Sequence, residues 1–99
     1  MITPADAYSG AVVPASVAHV STATFEGETV LYDSVRCRPF LLNVSAAAVW
    51  GMVDGTRTLA EIVTAVAAQF GADPALVEPD VRAAVADFTA LELLVDRSK

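Results

Sequence analysis

The chain has 99 residues, of which 55% are hydrophobic, so it is long enough for one domain with a single core but not for two. Its net charge of −6 and its six scattered Lys and Arg residues argue against general affinity for nucleic acid or anionic membranes, which need a concentrated basic surface. One cysteine and one histidine exclude an internal disulfide and a zinc site, and no apolar run or basic leading segment indicates a membrane span or signal peptide, so we expect a cytoplasmic protein.

The first 43 residues predict an arm followed by three strands. Residues 1–15 contain two prolines and show no apolar periodicity, so we expect a flexible N-terminal arm ahead of one domain over residues 16–99. Strands are predicted over 17–20, extended by 24–25, then over 29–32 and 37–42, with a Glu-Gly-Glu turn between the first two. Connections this short favour an antiparallel meander.

Pro39 lies inside the third predicted strand. Proline has no N–H to donate to a ladder, so it is tolerated mainly on edge strands and at bulges. We therefore expect this strand to be a sheet edge, and an edge offers unpaired backbone groups to another chain. A bulged edge that binds no partner is the simpler alternative, and the residues alone leave it open.

The first of three predicted helices follows the third strand. Ser45 is the expected N-cap, and Val44 before it is expected to pack against Val49 inside the helix. Gly55 is the expected residue at which this helix ends, because glycine adopts the left-handed conformation that terminates helices.

The second and third helices carry clear start and stop signals. Thr58 and Glu61 form a capping box at the start of the second helix, and Gly71 ends it. Pro79 suits the opening of the third helix, with an earlier start near Pro74 left open, and a short tail or strand at residues 93–95 follows it. Apolar residues recur at helical spacing and predict the buried faces, namely Leu59, Ile62, Val63, Val66, Ala67 and Phe70, then Val81, Ala84, Val85, Phe88 and Leu91.

Patterns that carry chemistry are nearly absent from the sequence. No glycine-rich phosphate loop is present, and the acidic residues show no metal-ligand spacing. Cys37 lies between Arg36 and Arg38, a setting found around reactive thiols, but no histidine or carboxylate pattern supports a nucleophile there. His19 and Trp50 are expected to be structural. We therefore predict no catalytic residue, no metal site and no cofactor.

Five short motifs follow one another between Val30 and Val95. They are Leu42-Asn43, Ala46-Ala47-Ala48 with Trp50, Asp54-Gly55, Thr58 with Glu61-Ile62-Val63, and Asp80-Val81. None is specific alone, but their order and spacing together resemble the PqqD-like family, the precursor recognition elements of ribosomally synthesised and post-translationally modified peptides (RiPPs). The resemblance implies an α+β fold, in which a three-stranded antiparallel sheet is followed by three helices in a winged-helix-like arrangement.

The same resemblance implies a function and a site. In this family the leader segment of a precursor peptide adds as a strand to the third strand and lies against the third helix. The chain is then expected to be a non-enzymatic adaptor, a monomer or weak homodimer, that presents the precursor to a radical SAM enzyme, a leader peptidase or a similar enzyme. Phe40 and Phe88 are expected to flank an apolar slot, with Arg38 and Asp80 at its rim and Arg82 within reach of that rim. Carried onto this sequence, the peptide-binding residues are Arg38, Pro39, Phe40, Leu41, Asp80, Val81, Ala84, Val85 and Phe88.

The direction of Pro39 is left open by the sequence. If its nitrogen faces outward, the leader lacks one backbone hydrogen bond, worth about 1 kcal/mol. If it faces inward, the sheet lacks that bond and the docking edge is intact.

Two other functions fit the predicted outline. A winged-helix nucleic-acid-binding domain needs basic residues on its recognition helix, and no Lys or Arg lies between Thr58 and Phe70 in the second helix. A structural subunit of a larger enzyme complex needs no motif at all, so the residues leave it open.

Overall fold

Two small sheets and three helices make up the computed structural model, which describes residues 12–97. The elements are β1 (Pro14–Ser16), β2 (Val20–Phe25), β3 (Glu28–Asp33), β4 (Arg38–Leu42), α1 (Val44–Met52), α2 (Leu59–Phe70), α3 (Pro74–Ala90) and β5 (Leu94–Asp96). Strands β2, β3 and β4 form an antiparallel sheet in that order, and β1 pairs antiparallel with β5. The predicted fold class, a three-stranded antiparallel sheet followed by three helices, is confirmed.

The last two residues of the predicted N-terminal arm, residues 1–15, belong to strand β1. Residues 1–11 of that arm lie outside the described residues. Pro14 and Ala15, which were predicted to belong to the arm, instead pair with Asp96 and Val95 of β5. Ala15 is buried. Backbone pairing with the far end of the chain holds this segment, although its sequence has no periodic apolar pattern.

Strands β2 and β3 form a hairpin with a two-residue turn at Glu26 and Gly27. Both residues have positive φ, 52° and 80°, which is the type I′ geometry. Such a turn makes its flanking residues a hydrogen-bonded pair, and bonded and non-bonded pairs then alternate along the ladder. The Ser34 N–H donates to the His19 carbonyl over 3.0 Å, where this alternation places a bonded pair. Even-numbered residues of β3 therefore direct their backbone groups to β2, and odd-numbered ones to β4.

The strand predicted over residues 17–20 lies further along the chain in the structure. Residues 17–19 form a turn, and β2 runs without interruption from Val20 to Phe25, paired along its whole length with β3. The middle of β2 is Ser-Thr-Ala, which carries a weak strand signal by itself. Pairing with β3 overrides that weak local preference.

Helix α1 starts earlier than predicted. Its N-cap is Asn43, whose side-chain oxygen accepts a hydrogen bond from the Ala46 N–H over 2.8 Å, so the prediction of Ser45 as the cap is wrong. Both residue types cap helices well, and the chain turns into the helix directly after β4. Val44 is 74% exposed and makes no staple. The helix ends at Met52 rather than at Gly55.

Helix α2 matches its prediction at both ends. The Thr58 hydroxyl accepts from the Glu61 N–H over 3.2 Å, and the Glu61 carboxylate accepts from the Thr58 N–H over 2.8 Å. Gly71 ends the helix in the left-handed conformation, with φ of 62°. Phe70, assigned to the buried stripe, is 44% exposed because it is the last helical residue.

Helix α3 begins at Pro74, which is the earlier of the two starts that the sequence left open, and Pro79 lies inside it. Asp73 is the N-cap, and its carboxylate accepts from the Ala75 N–H over 2.9 Å. Proline is favoured at the first helical position, where its missing N–H costs nothing. This start signal outweighs the cost of Pro79 inside the helix.

The core lies between the three-stranded sheet and the helices. The rings of Trp50 and Phe88 pack in a T-shaped arrangement with centroids 5.1 Å apart, and the Trp50 indole N–H donates to the Thr22 hydroxyl over 2.9 Å. These contacts tie α1 to both α3 and β2. The largest core side chains are Leu31, Val49, Trp50, Leu59, Ile62, Val63, Val66, Val81, Val85, Phe88, Leu93 and Leu94.

Candidate functional site

Strand β4 is an edge of its sheet. It pairs with β3 on one side, and within residues 12–97 no strand pairs with its other side. The alternation set by the hairpin puts Arg38, Phe40 and Leu42 in bonded pairs with β3. The backbone groups of Pro39 and Leu41 therefore face outward. The predicted edge is confirmed, and the missing N–H of Pro39 lies on the free side.

A groove of about 460 Å³ runs between β4 and α3. Phe40 and Phe88, which the family resemblance implies at the two sides of an apolar slot, both line it, and so does the small side chain of Ala84. The start of α1 closes one end. The full lining is Phe40, Leu41, Leu42, Asn43, Ser45, Ala46, Asp80, Ala83, Ala84, Asp87, Phe88, Leu91 and Leu93.

The predicted site residues divide between the groove and the core. Val81 and Val85 do not line the groove, because they are 1% and 2% exposed and pack in the core behind it. Pro39 is exposed on the edge strand and contributes its outward carbonyl. Of the nine predicted residues, those on the groove wall are Phe40, Leu41, Asp80, Ala84 and Phe88.

Sequence reasoning missed several groove residues. Ala83, Asp87 and Leu91 lie on the same face of α3 as Asp80, at spacings of three and four residues. Following the helical periodicity from Asp80, at steps of three and four residues, would have found them. Asn43 enters the groove because it caps α1 directly after β4, a tertiary arrangement with no local signal.

Arg38 does not reach the groove, contrary to its predicted place at the rim. Its guanidinium donates to the carboxylate of Asp33 and to the Leu91 carbonyl, both over 3.3 Å. It also lies over the ring of Phe40, 5.1 Å from the centroid. Arg38 therefore packs behind Phe40 and ties β4 to the end of α3, which fixes one wall of the groove against the other.

Asp33 is the buried charge that holds this arrangement. It is fully buried and accepts from the backbone N–H groups of Val35 and Arg36, over 3.0 and 3.1 Å, and from both arginine guanidiniums. Burial alone would raise the pKa of Asp33, but the hydrogen bonds from Arg36 and Arg38 outweigh it and lower the pKa to about 2. The carboxylate is therefore ionised at neutral pH. Arg36 also pairs with Glu92, just beyond α3.

The charges on the groove wall are both negative. Asp80 and Asp87 are exposed, and within residues 12–97 neither carboxylate forms a salt bridge with a basic side chain. Arg82, which was predicted to reach the rim, donates to Glu78 over 2.8 Å and lines a separate depression. The groove is thus an apolar channel with two carboxylates along its helical side.

Within residues 12–97 no group of three or more His, Cys, Asp or Glu side chains could hold a metal ion. Cys37 is exposed, and its thiol donates to the Ser34 carbonyl over 3.9 Å. None of the helices in this range is both long and apolar enough to span a bilayer.

Known proteins share this fold and sequence pattern. The family model for coenzyme PQQ synthesis protein D (PqqD) matches residues 28–94. The structure of TbiB1 in complex with the TbiA(beta) leader peptide matches with TM-score 0.71 and 26% identity, over 81% of this chain and 93% of that chain. Lasso peptide synthetase B1 complexed with its leader peptide matches with TM-score 0.72, over 84% and 98% of the two chains, and its 17% identity shows the fold alone.

A third solved structure comes from Methylobacterium extorquens. It is the solution NMR structure of the PqqD truncation of PqqCD, a functional and stand-alone RiPP recognition element. It matches with TM-score 0.70 and 27% identity, over 96% of this chain and 95% of that chain. No curated protein sequence matches the chain. Because the family model covers more than half of its length, this chain belongs to the PqqD family.

Proposed function

We propose that this chain is a leader-peptide-binding adaptor that presents a ribosomally synthesised precursor peptide to a modifying enzyme or leader peptidase. The free edge of β4 beside the groove of α3 is the observation that carries the proposal. Strand addition needs an unpaired edge for affinity and adjacent side-chain pockets for specificity, and both are present here. TbiB1, which has the same fold, was solved with a leader peptide bound.

The outward groups of β4 set the register of an added strand. Leu41 offers both its N–H and its carbonyl, whereas Pro39 offers only a carbonyl. Three backbone hydrogen bonds contribute about 3 kcal/mol in total, which alone corresponds to millimolar affinity at best. Useful affinity therefore depends on apolar side chains of the leader, alternate ones of which enter the groove against Phe40 and Phe88.

The adaptor contributes proximity rather than chemistry. Holding the leader near a partner enzyme raises the effective concentration of the precursor there. We infer that this partner is a radical SAM enzyme, a leader peptidase or a similar tailoring enzyme, acting in the cytoplasm. The same edge would pair with a second copy of the chain, so a weak homodimer would compete with the leader.

Fluorescence anisotropy tests the proposal with a labelled leader from a short peptide gene beside the gene for this chain. Phe88→Ala is a poor probe, because Phe88 is buried against Trp50 and its truncation costs about 3–5 kcal/mol of folding free energy. Ala83→Leu instead fills the groove from an exposed helical position. Ala68→Leu, at an exposed position of α2 that does not line the groove, is the matched control.

We expect saturable binding that weakens about tenfold or more in Ala83→Leu and is unchanged in Ala68→Leu. Circular dichroism confirms that both variants are folded. Equal binding by all three proteins would place the leader elsewhere, and no binding by the folded wild-type chain would contradict the adaptor function.

A further inference from the structure

We propose that the groove selects leader segments with two basic side chains, four residues apart, on either side of an apolar one. This inference rests on the proposed function and names the chemistry of its ligand. The two carboxylates on the groove wall, Asp80 and Asp87, carry it. The protein's net charge of −6 favours the approach of such a basic segment.

The structure shows why no basic side chain neutralises Asp80 and Asp87 in the groove: the two nearby arginines are held elsewhere. Arg38, the arginine of β4, is turned behind Phe40 by its bonds to Asp33 and to the Leu91 carbonyl. On α3, Arg82 is engaged by Glu78 in a different depression. Within residues 12–97 the wall therefore offers negative charge alone.

The direction of the groove allows a spacing to be worked out. Arg38 at the start of β4 contacts Leu91 at the end of α3, whereas Ser45, just beyond β4, lies beside Asp80. Strand and helix therefore run side by side in opposite directions. A strand added to β4 lies along the helix, so distances along the two elements can be compared directly.

Asp80 and Asp87 are two helical turns apart, which is about 10.5 Å along the axis and nearly the same face. Side chains on one face of a strand recur about every 6.7 Å, so residues i and i+4 are about 13 Å apart. Long Lys or Arg side chains at i and i+4 can lean inward to the two carboxylates. The side chain at i+2 then lies opposite Ala84, between Phe40 and Phe88, where an apolar group fits.

The expected size of the effect follows from the exposure of both acids. An exposed ion pair contributes up to about 1 kcal/mol, so we expect each Asp→Asn change to weaken binding about threefold. The two sites are far enough apart to act independently, so Asp80→Asn and Asp87→Asn together should cost about tenfold. The loss should shrink as salt is raised, because ions screen exposed pairs.

A displayed library of random 12-residue peptides, selected on the full wild-type chain at low salt, is the probe. We expect enriched peptides to carry Lys or Arg four residues apart around an apolar residue. Dissociation constants are then measured for one enriched peptide, and for its version with both basic residues replaced by Gln, against wild type and the double Asp→Asn variant. Glu26→Gln combined with Glu28→Gln, two exposed changes away from the groove, removes the same two negative charges and is the control for net charge.

Three results separate this inference from the proposed function. Coupling of the peptide's basic residues to the two aspartates, with the combined Glu26→Gln and Glu28→Gln control close to wild type, would support it. Peptides that bind in the groove, as shown by weakening in Ala83→Leu, but without preference for basic residues would overturn the inference and leave the proposed function standing. Failure of both the library and the neighbouring leader to bind would overturn both.

Discussion

Replacing Pro39 with valine is predicted to tighten leader binding. The backbone of residue 39 faces the free edge of β4, so valine there adds an outward N–H without entering the ladder with β3. An added strand that already donates to the carbonyl of residue 39 would then receive a hydrogen bond in return. Few substitutions in a binding site are expected to improve it, so this change is a sharp test of the register.

The expected change in affinity comes from one added hydrogen bond, and the expected change in stability comes from the loss of the proline ring. A net gain of about 1 kcal/mol lowers the dissociation constant about fivefold. Removing proline loosens the unfolded chain and costs about 0.4–1 kcal/mol of folding free energy, which the strand preference of valine partly offsets. Proline on an edge also blocks pairing between copies, so Pro39→Val should dimerise more readily than wild type.

Anisotropy titration at low protein concentration measures the binding, with sedimentation velocity to follow the dimer. Pro74→Ala removes an exposed proline at the first residue of α3, away from the groove, and should leave the dissociation constant unchanged. If Pro39→Val binds the leader no better than wild type while folded and monomeric, then residue 39 does not face the added strand and the proposed register of that strand is incorrect.

Two predictions concern stability. The pKa of Asp33 is about 2 in the folded protein against an ordinary value of 3.8, so the unfolded chain takes up the proton first. The ionised Asp33 carboxylate therefore stabilises the folded protein above about pH 4, and this stabilisation disappears as the pH falls through 2. In urea melts, the free energy of unfolding should fall less between about pH 4 and pH 2 in Asp33→Asn than in wild type. An equal fall in the two proteins would contradict the argument. Asp54, whose pKa is also about 2, should preserve part of the dependence. Gly51→Ala, inside α1, should stabilise the folded protein by about 0.5–1 kcal/mol. Gly71→Ala should destabilise it by about 1–2 kcal/mol, because the φ of residue 71 is 62°. Neither added methyl group meets an atom within 4 Å, so equal effects in thermal melts would contradict an explanation based on backbone conformation.

The parts of the fold that could be predicted from sequence are those whose signals are local. The capping box at Thr58 and Glu61 holds its donors and acceptors within four residues, and Gly71 supplies the left-handed residue at the other end, so both ends of α2 were predictable. The start of α1 was ambiguous, because Asn43 and Ser45 are both good caps and the exit from β4 decides between them. Local sequence therefore indicates which residues can cap a helix, and packing of the neighbouring strand determines which of them does.

Long-range pairing could not be predicted in this way. Strand β1 pairs with β5, which lies about eighty residues later in the chain. Nothing in the sequence of either segment indicates that Ala15 pairs with Val95. The edge position of β4 was predictable because Pro39 excludes a central strand. Which way Pro39 faces needed the hairpin turn and the His19 contact of the hydrogen-bond ladder.

The charge of the groove illustrates why site residues transferred by resemblance need the three-dimensional arrangement. Arg38 is two residues from Phe40 and on the same face of β4, so a place at the rim was a reasonable prediction. The guanidinium of Arg38 instead donates to the buried carboxylate of Asp33 and lies against the ring of Phe40, and Arg38 does not line the groove. A groove lined by Arg38 and Asp80 would accept either charge, whereas one lined by Asp80 and Asp87 favours basic ligands. Asp33 lines no part of the groove, yet it decides which charge the groove presents.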